Sequence, residues 1–255
     1  MPERSRRSTD RVLRVLLYLA SRTEPVSAAV LAEACDIPRP TLYAMLRDMQ
    51  RRHFVTHFPE ERTWAIGVAT FEIGSAYLRS KPLQRLARPL LVNLTAEVKE
   101  TSHLAILHGN EALYLLKQTP GRYAIPLITD VGVRLPAHLT AVGKAILMHL
   151  PDSQLRALYP SPSTFVWRTG RGSRRLFDLR AELERDRRRG YSIETDLTTE
   201  GITCIAAPVF DRAGLPVASI GISFATSEHD ESTWQSLAQN VCRAARLLTT
   251  RLQGS

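Results

Sequence analysis

Apolar residues in the first part of the chain recur at three- and four-residue intervals, which is the spacing of one face of an α-helix. Three such segments follow one another. The first covers 9–20, the second begins after Ser27 and breaks near Pro38, and the third opens at Pro40. Proline suits the first turn of a helix, because its missing N–H would have no partner there. The pattern therefore predicts three helices, the last two separated by a short turn.

The third segment, "RPTLYAMLRDM", has an apolar side and a polar side. Four apolar residues share the side that we expect to be packed: Leu42, Met45, Leu46 and Met49. The turn before this helix is too short for two long helices to lie side by side. It fits a helix-turn-helix crossing.

Strand-like residues follow the third helix. The segment "FVTHFPEERTWAIG" predicts two short strands, 54–58 and 63–66, around a turn at Pro59. Three helices followed by a β-hairpin make a winged helix-turn-helix, to which we assign residues 1–67. The next helical pattern leads to "SKP", so we expect a linker helix at 68–81.

The remainder of the chain, 82–255, mixes helices and strands. A long helix is predicted first, followed by the strands "HLAILH" and "ALYLLK", which join across Gly109, and by a third strand, "YAIPLIT". The later pattern predicts helices near 141–150, 152–158 and 174–189, strands near 203–209 and 215–224, and a C-terminal helix. The chain is thus predicted to be an α+β protein whose second domain has an α/β architecture.

The composition fits a globular protein of 255 residues, 44% hydrophobic and 23% charged. No apolar run approaches the roughly 18 residues that a membrane-spanning helix needs, and "MPERSRRSTD" lacks the apolar segment of a signal peptide. We therefore expect a cytoplasmic protein without a membrane partner.

Three cysteines lie far apart without metal-ligand spacing, so we expect no disulfide scaffold, no metal and no other cofactor.

Positive charge is concentrated around the predicted helix-turn-helix. The whole chain has a formal net charge of +9, which favours a polyanionic partner, and residues 1–52 carry ten arginines against six acidic residues. The polar side of the third helix and the wing supply a candidate DNA-reading face: Arg39, Pro40, Thr41, Tyr43, Ala44, Arg47 and Arg62. Arg47 can bind guanine through two hydrogen bonds, and Thr41 can hold a phosphate. Double-stranded DNA is the expected partner.

Some charged segments have plainer explanations. A charged amphipathic helix is often only a solvated surface, but the tight turn before the third helix and the wing after it favour DNA. The arm "RSRR" fits a disordered solubilising tail as well as a DNA contact. The stretch 168–189 carries nine arginines against four acidic residues, which ion pairs within a solvated helix explain. A second contact to DNA or to an acidic partner is the alternative.

The second half also carries a candidate pocket for a small polar molecule. Thr140 is placed to cap a helix that starts at Ala141, which leaves free N–H groups at the end of that helix. In "LPVASIGISF", a period of two puts small and hydroxylated residues on one face and bulky apolar residues on the other. A strand of this kind facing a helix end suits a pocket. Close packing of a helix on the sheet explains the same small residues equally well.

Catalytic signatures are absent from the sequence. Gly143 and Lys144 lack the further glycine and the Ser or Thr of a phosphate loop, and no GxSxG, HExxH or GxGxxG occurs. His103 and His108 are possible metal ligands, although on strands they are more often ordinary polar residues. An enzyme with Cys204 as nucleophile is a rival interpretation that lacks an evident base. A protein that binds DNA by charge alone is a third.

Four segments carry a family resemblance: "RVLRVLLYLA", "LAEACDIPRPTLYAMLRDMQRRHFV", "LPAHLTAVGKAIL" and "GYSIETDLTTEGITCIAAPVFDRAG". Over about residues 8–252, the chain resembles the IclR family of bacterial transcriptional regulators. The resemblance implies a winged helix, a linker helix that contributes to dimerisation, and a C-terminal effector-binding domain related to GAF and PAS folds. It also implies a non-enzymatic regulator of metabolic genes that forms dimers or tetramers of two dimers. Two-fold symmetry then predicts a pseudo-palindromic operator.

The same resemblance implies six effector contacts: Ala141, Val142, Glu194, Cys204, Gly221 and Ser223. Two of them depart from the family pattern. Gly221 stands where some members have a serine, and Glu194 stands where a shorter aspartate occurs. Glu194 would repel a carboxylate ligand unless a proton were shared. An uncharged or hydroxylated effector is therefore an alternative to the small keto acids bound by some relatives.

Overall fold

The protein folds into two compact units, Met1–Ser80 and Lys81–Ser255. A computed structural model describes residues 2–80, 82–121 and 125–254. The first unit combines helices with a three-stranded sheet, and the second is built on a six-stranded sheet. Helices and strands occur in both units, as the predicted α+β class requires.

Over its described residues, the first unit contains four α-helices and three short strands. The helices are α1 (Pro2–Ala20), α2 (Ala28–Ala34), α3 (Arg39–Arg51) and α4 (Val68–Ser80), and the strands are β1 (Val26–Ser27), β2 (Val55–Phe58) and β3 (Thr63–Ile66). The strands pair antiparallel in the order β1-β3-β2. This is the predicted three-helix and hairpin arrangement, with one additional strand, β1, that two residues are too few to signal.

In the first unit, the start of α1 differs from the sequence prediction, whereas the cap of α2 and the orientation of α3 agree with it. Helix α1 begins at Pro2, well before the predicted start, because the polar residues ahead of Thr9 carry no apolar period. Ser27 caps α2 and accepts a hydrogen bond from the N–H of Val30, as a helix N-cap should. All four predicted core residues of α3 are buried, which confirms the orientation of that helix.

In the parts that the structure describes, the second unit contains five α-helices and six strands. The helices are α5 (Pro82–Val98), α6 (Ala141–Leu147), α7 (Asp152–Leu158), α8 (Leu176–Arg189) and α9 (Glu231–Gln253), and the strands are β4 (Thr101–His108), β5 (Glu111–Gln118), β6 (Arg134–Pro136), β7 (Ser192–Thr195), β8 (Ile202–Phe210) and β9 (Pro216–Ala225). Every pairing is antiparallel, in the order β6-β5-β4-β9-β8-β7.

The six-stranded sheet is covered on both faces. On one face, Ala218, Ile220, Ile222 and Phe224 of β9 join the apolar sides of α5 and α9 in one core cluster. On the other face, Ala105, Tyr114 and Ala206 join α6, α7 and α8 in a second cluster. Because successive strand residues point to opposite faces, this confirms the predicted alternation in β9.

Several predicted boundaries in the second unit are wrong. The predicted strand at 123–129 is not formed over 125–129, and the rest of it lies outside the described residues. Helix α6 ends at Leu147, three residues before the predicted end. The short strands β6 and β7 at the two sheet edges were not predicted, because three or four residues are too few to show the alternation of apolar and polar residues that indicates a strand.

Helix α6 lies unusually close to its surroundings. A Cβ added to Gly143 would lie 2.3 Å from the carbonyl oxygen of Ala137, and one added to Gly221 would lie 2.9 Å from Val142 Cγ1. The hydroxyl of Ser219 donates a hydrogen bond to the carbonyl of Val142 at 2.8 Å. Gly221 and Ser219 therefore fix the distance between α6 and the sheet, and Gly143 allows the helix to pack against Ala137.

We expect Gly143→Ala to destabilise the second unit by about 2 kcal/mol or more, because the new methyl group would collide with the backbone rather than with a movable side chain. Gly74→Ala, in helix α4, is the control: no atom lies within 4 Å of its added Cβ, and alanine is the better helix former. Differential scanning calorimetry of the full chain measures both changes. An unchanged transition in Gly143→Ala would contradict the close approach.

Candidate functional site

The polar side of α3 is open to solvent. Arg39, Pro40, Tyr43, Ala44 and Arg47 are exposed and Thr41 is half-buried, because the opposite side of the helix packs into the core. Among the described residues, the guanidinium groups of Arg39 and Arg47 have no hydrogen-bond or ion-pair partner, whereas Arg51 on the same helix pairs with Asp48. The unpaired groups remain available to a ligand.

Arg62 lies in the turn between β2 and β3. Its φ angle is +54°, a left-handed conformation that non-glycine residues seldom adopt. Within the described residues this side chain is also exposed and unpaired. The backbone of the turn, rather than a side-chain contact, therefore determines how Arg62 is presented.

Three of the predicted effector contacts form one row across adjacent strands. Glu194 on β7 pairs with Cys204 on β8, and Cys204 pairs with Ser223 on β9. Cys204 Sγ lies 3.2 Å from Ser223 Oγ. Glu194 and Ser223 are buried, whereas Cys204 between them keeps accessible surface. We call Glu194, Cys204 and Ser223 the polar row.

Burial raises the pKa values of both acidic side chains in the polar row, Glu194 and Cys204. Burial raises the pKa of Glu194, against the opposing effects of hydrogen bonds from Cys204, the Leu197 N–H and the Thr198 hydroxyl. Burial and the nearby Glu194 charge raise the pKa of Cys204 well above its usual value. The thiol therefore stays protonated, which is the opposite of what a nucleophilic cysteine needs.

Ala141, Val142 and Gly221 form the contact between α6 and the sheet. Ala141 and Val142 are almost fully buried, and Val142 lies directly over Gly221. Gly221 therefore provides room for the helix, and a serine side chain would not fit there without displacing Val142. The structure thus brings all six predicted effector positions to one face of the sheet, with Gly221 in a packing contact.

Lys144 ties α6 to the edge of the sheet. Its ammonium group is buried, donates a hydrogen bond to the Ile193 carbonyl at 2.8 Å, and lies 3.6 Å from Glu182 on α8. Ile193 precedes Glu194 in the sequence. One lysine therefore connects the helix, the strand that carries Glu194, and α8.

The same face carries polar residues that the sequence pattern did not single out as effector contacts. His103 on β4 is 1% exposed and lies opposite Gly221, and neither of its ring nitrogens has a hydrogen-bond partner among the described residues. The Tyr114 ring meets the His103 ring edge-on at 5.3 Å between centroids. Thr129 is also buried, and its hydroxyl has no partner in the described part of the chain.

The pairing of β4 with β9 explains why His103 was missed. The two strands are separated by more than a hundred residues in the sequence, so their register cannot be inferred from local alternation. Alternation in "TSHLAILH" places His103 and Ala105 on one face, but it does not identify Gly221 as the neighbour of His103.

The arginine-rich stretch 168–189 is largely paired. Arg175 pairs with Asp178, Arg187 with Glu184, and Arg171 with Asp196, all at or near the surface; Arg189 pairs with the buried Asp186. Exposed pairs of this kind contribute little to stability. This matches the interpretation of a solvated helix with internal ion pairs.

The described residues contain neither a cluster of metal-ligating side chains nor a membrane-spanning helix. No three His, Cys, Asp or Glu side chains come close enough to hold a metal ion in the parts of the chain that the structure describes. Within those same parts, no helix combines the length and apolar character required to cross a membrane.

Comparison with known proteins identifies the family. Residues 8–58 match the model of the IclR helix-turn-helix domain, and residues 75–250 match the model described as "Bacterial transcriptional regulator IclR C-terminal". The chain belongs to the IclR family. The transcriptional repressor IclR of Escherichia coli is 29% identical over 248 residues, covering 97% of this chain and 90% of that protein. This IclR-family chain is a transcriptional regulator with a helix-turn-helix domain and a C-terminal effector domain, and it is not an enzyme.

Solved structures share the fold of this IclR-family chain. The Thermotoga maritima IclR structure is 24% identical with a TM-score of 0.77, covering 97% of this chain and 99% of that one. An IclR homolog from Microbacterium hydrocarbonoxydans, complexed with 4-hydroxybenzoate, is 22% identical with a TM-score of 0.83, covering 97% and 100%. Both support the winged-helix and α/β architecture.

His103 generates a pH prediction. Burial, with a smaller effect of the Lys117 charge, lowers the pKa of His103 from 6.5 to about 3. In the unfolded chain this histidine is protonated below pH 6.5, whereas in the folded protein it stays neutral down to about pH 3. The free energy of unfolding therefore decreases as the pH falls through this range. At pH 5 this loss is about 2 kcal/mol.

We expect His103→Met to remove that part of the pH dependence, so that urea unfolding at pH 7.5 and pH 5 differs less in the variant than in the wild type. His108→Gln, on the exposed end of the same strand, should keep the wild-type dependence. Equal pH dependence in His103→Met and the wild type would show that His103 is protonated in the folded protein.

Proposed function

We propose that this regulator reads a pseudo-palindromic operator through Arg39, Pro40, Thr41, Tyr43, Ala44, Arg47 and Arg62, as a dimer or a dimer of dimers in the cytoplasm. The observation that carries the proposal is the exposed polar side of α3, on which the guanidinium groups of Arg39 and Arg47 have no partner in the described structure. Arginine binds the O6 and N7 atoms of guanine through two hydrogen bonds, and a helix of this size fits the major groove.

Pairing of two copies is supported by exposed apolar side chains. On α4, which we propose as the linker helix within 68–81, Val68 is 58% exposed, Phe71 74% and Ile73 57%. On α1, Leu17 is 71% exposed. Large apolar side chains on a surface mark contacts with other molecules. A second copy joined here would place two recognition helices on one DNA duplex.

The effector is proposed to bind beside the polar row, in contact with Ala141, Val142, Glu194, Cys204, Gly221 and Ser223. The support is that these positions share one face of the sheet and that Cys204 retains accessible surface between two buried neighbours. The Microbacterium homolog is complexed with 4-hydroxybenzoate, so a small organic acid of that size is a reasonable class for this chain.

Regulation requires that the effector bind two arrangements of the paired protein with different affinity, since equal affinity shifts no equilibrium. We propose that α4 transmits the difference by changing the separation of the two recognition helices. Residues 1–67 would then read DNA, and residues 82–255 would bind the effector. The linker helix at 68–81 would connect these two domains.

Arg47→Ala should weaken operator binding by about 1–3 kcal/mol and relax the preference at one base pair, because a contact with two hydrogen bonds to a base would be lost. Arg51→Ala is the matched control: it removes the same charge from the same helix, but its guanidinium already pairs with Asp48. Fluorescence anisotropy with operator and scrambled duplexes measures both. An equal loss on the two duplexes would make Arg47 a phosphate contact.

Glu194→Gln and Ser223→Ala should leave operator affinity unchanged but remove the response to small organic acids, because both residues lie in the polar row and outside the DNA-binding unit. The measurement is operator release across a panel of hydroxy and keto acids, with circular dichroism to verify folding. If both variants respond like the wild type, the polar row is not the effector site.

A further inference from the structure

We propose that His103 and Thr129 form a second polar subsite in the effector pocket, which binds an uncharged hydroxyl group of the effector. The inference rests on the proposed effector function and adds a chemical class: a molecule with one polar group at the polar row and a hydroxyl group at the far end. Neither residue belongs to the six contacts assigned above.

Both residues are buried and unsatisfied. His103 is 1% exposed and Thr129 6% exposed, and in the described structure neither the two ring nitrogens of His103 nor the Thr129 hydroxyl has a hydrogen-bond partner. Buried polar groups in folded proteins nearly always have partners, since each one left without a partner costs about 1–3 kcal/mol. His103 on the face of the polar row, together with Thr129, therefore has hydrogen-bonding capacity that a ligand can use.

Lys117 brings the two residues together. It lies opposite His103 in the pairing of β4 with β5, and its ammonium group donates a hydrogen bond to the Thr129 carbonyl at 2.7 Å. The charge of Asp130, the residue after Thr129, opposes the lowering of the His103 pKa. The loop is thus held beside His103 through its backbone, and the Thr129 hydroxyl remains unused.

The new subsite lies next to the polar row. His103 is opposite Gly221 on β9, and Ser223 is two residues further along β9 on the same face. Diagonal neighbours of this kind are roughly 7 Å apart in an antiparallel sheet. An effector that reaches both therefore carries polar groups at two separated positions, which a two- or three-carbon keto acid does not.

Hydrogen-bonding capacity decides the type of group. A neutral imidazole offers one N–H donor and one acceptor nitrogen, and burial keeps His103 neutral by lowering its pKa to about 3. A carboxylate can only accept from the N–H, and an ammonium group can only donate to the acceptor nitrogen. A hydroxyl group can do either, so it fits whichever ring nitrogen faces the pocket, and it can also bond to the Thr129 hydroxyl.

The first test compares two buried threonines. Thr95 and Thr129 lie in the same unit and are similarly buried, but Thr95 Oγ1 bonds to Ser102 Oγ at 2.7 Å and to the Gln118 carbonyl at 3.2 Å. In thermal unfolding of the full chain without ligand, Thr95→Val should lower Tm by about 2–4 °C, as expected for the loss of roughly 1 kcal/mol. Thr129→Val and His103→Met should leave Tm unchanged or raise it. If they lower it as much as Thr95→Val does, the groups are structural and the proposal fails.

The second test uses ligand pairs that differ by one hydroxyl group at the end far from the carboxylate: 4-hydroxybenzoate with benzoate, and 6-hydroxyhexanoate with hexanoate. Wild-type Tm should rise more with a hydroxylated member than with its partner, and the difference should vanish in Thr129→Val and His103→Met but persist in Thr95→Val. Equal shifts within both pairs, or no shift with any member, would overturn the hydroxyl subsite.

The two proposals can fail separately. If both members of a pair raise Tm equally and Glu194→Gln removes the response, the effector site stands and only the hydroxyl subsite falls. If Glu194→Gln and Ser223→Ala respond to the acids like the wild type, the effector site itself is misplaced.

Discussion

The close contact of α6 with the sheet is the constraint on which the second unit depends. Gly221 leaves no room for a side chain beneath Val142, and Ser219 bonds to the backbone of the helix. Gly143 in turn packs against the backbone of Ala137, just before the helix begins. Lys144 adds a buried bond to the strand that carries Glu194. The helix and the polar row are therefore positioned by the same few contacts, and a substitution that lifts the helix would alter the pocket as well as the core.

The pocket face combines tight packing with incomplete hydrogen bonding. Around Gly221 and Val142 the atoms are in contact, whereas one strand away the polar atoms of His103 and Thr129 have no partner in the described structure. Proteins often accept a loss of stability where a binding site must stay open to its ligand. The second unit therefore has a tightly packed region at Gly221 and Val142, and beside it a region whose polar groups can bind a ligand.

Local patterns predicted much of this fold. The apolar stripe of α3, the cap at Thr140 and the alternation in β9 depend on neighbouring residues, and all three are present. The early start of α1 and the edge strands β6 and β7 leave little local signal. His103 illustrates the remaining gap: its significance depends on strands that are adjacent only in the folded sheet, and on the absence of partners for its ring nitrogens. The contacts implied by family resemblance could be placed, but this additional subsite could not.

The exposed apolar side chains of α4 make the proposed dimerisation depend on how much of the protein the cell contains. Its Val68, Phe71 and Ile73 side chains lie in water when the chain is alone. On the proposed pairing, these side chains are buried only in the dimer, which is the species that reads DNA. When the chain is scarce, the dimer concentration therefore rises with roughly the square of the chain concentration. Copy number would then act as a second input alongside the metabolite, and a modest change in synthesis would sharpen or blunt the genetic response.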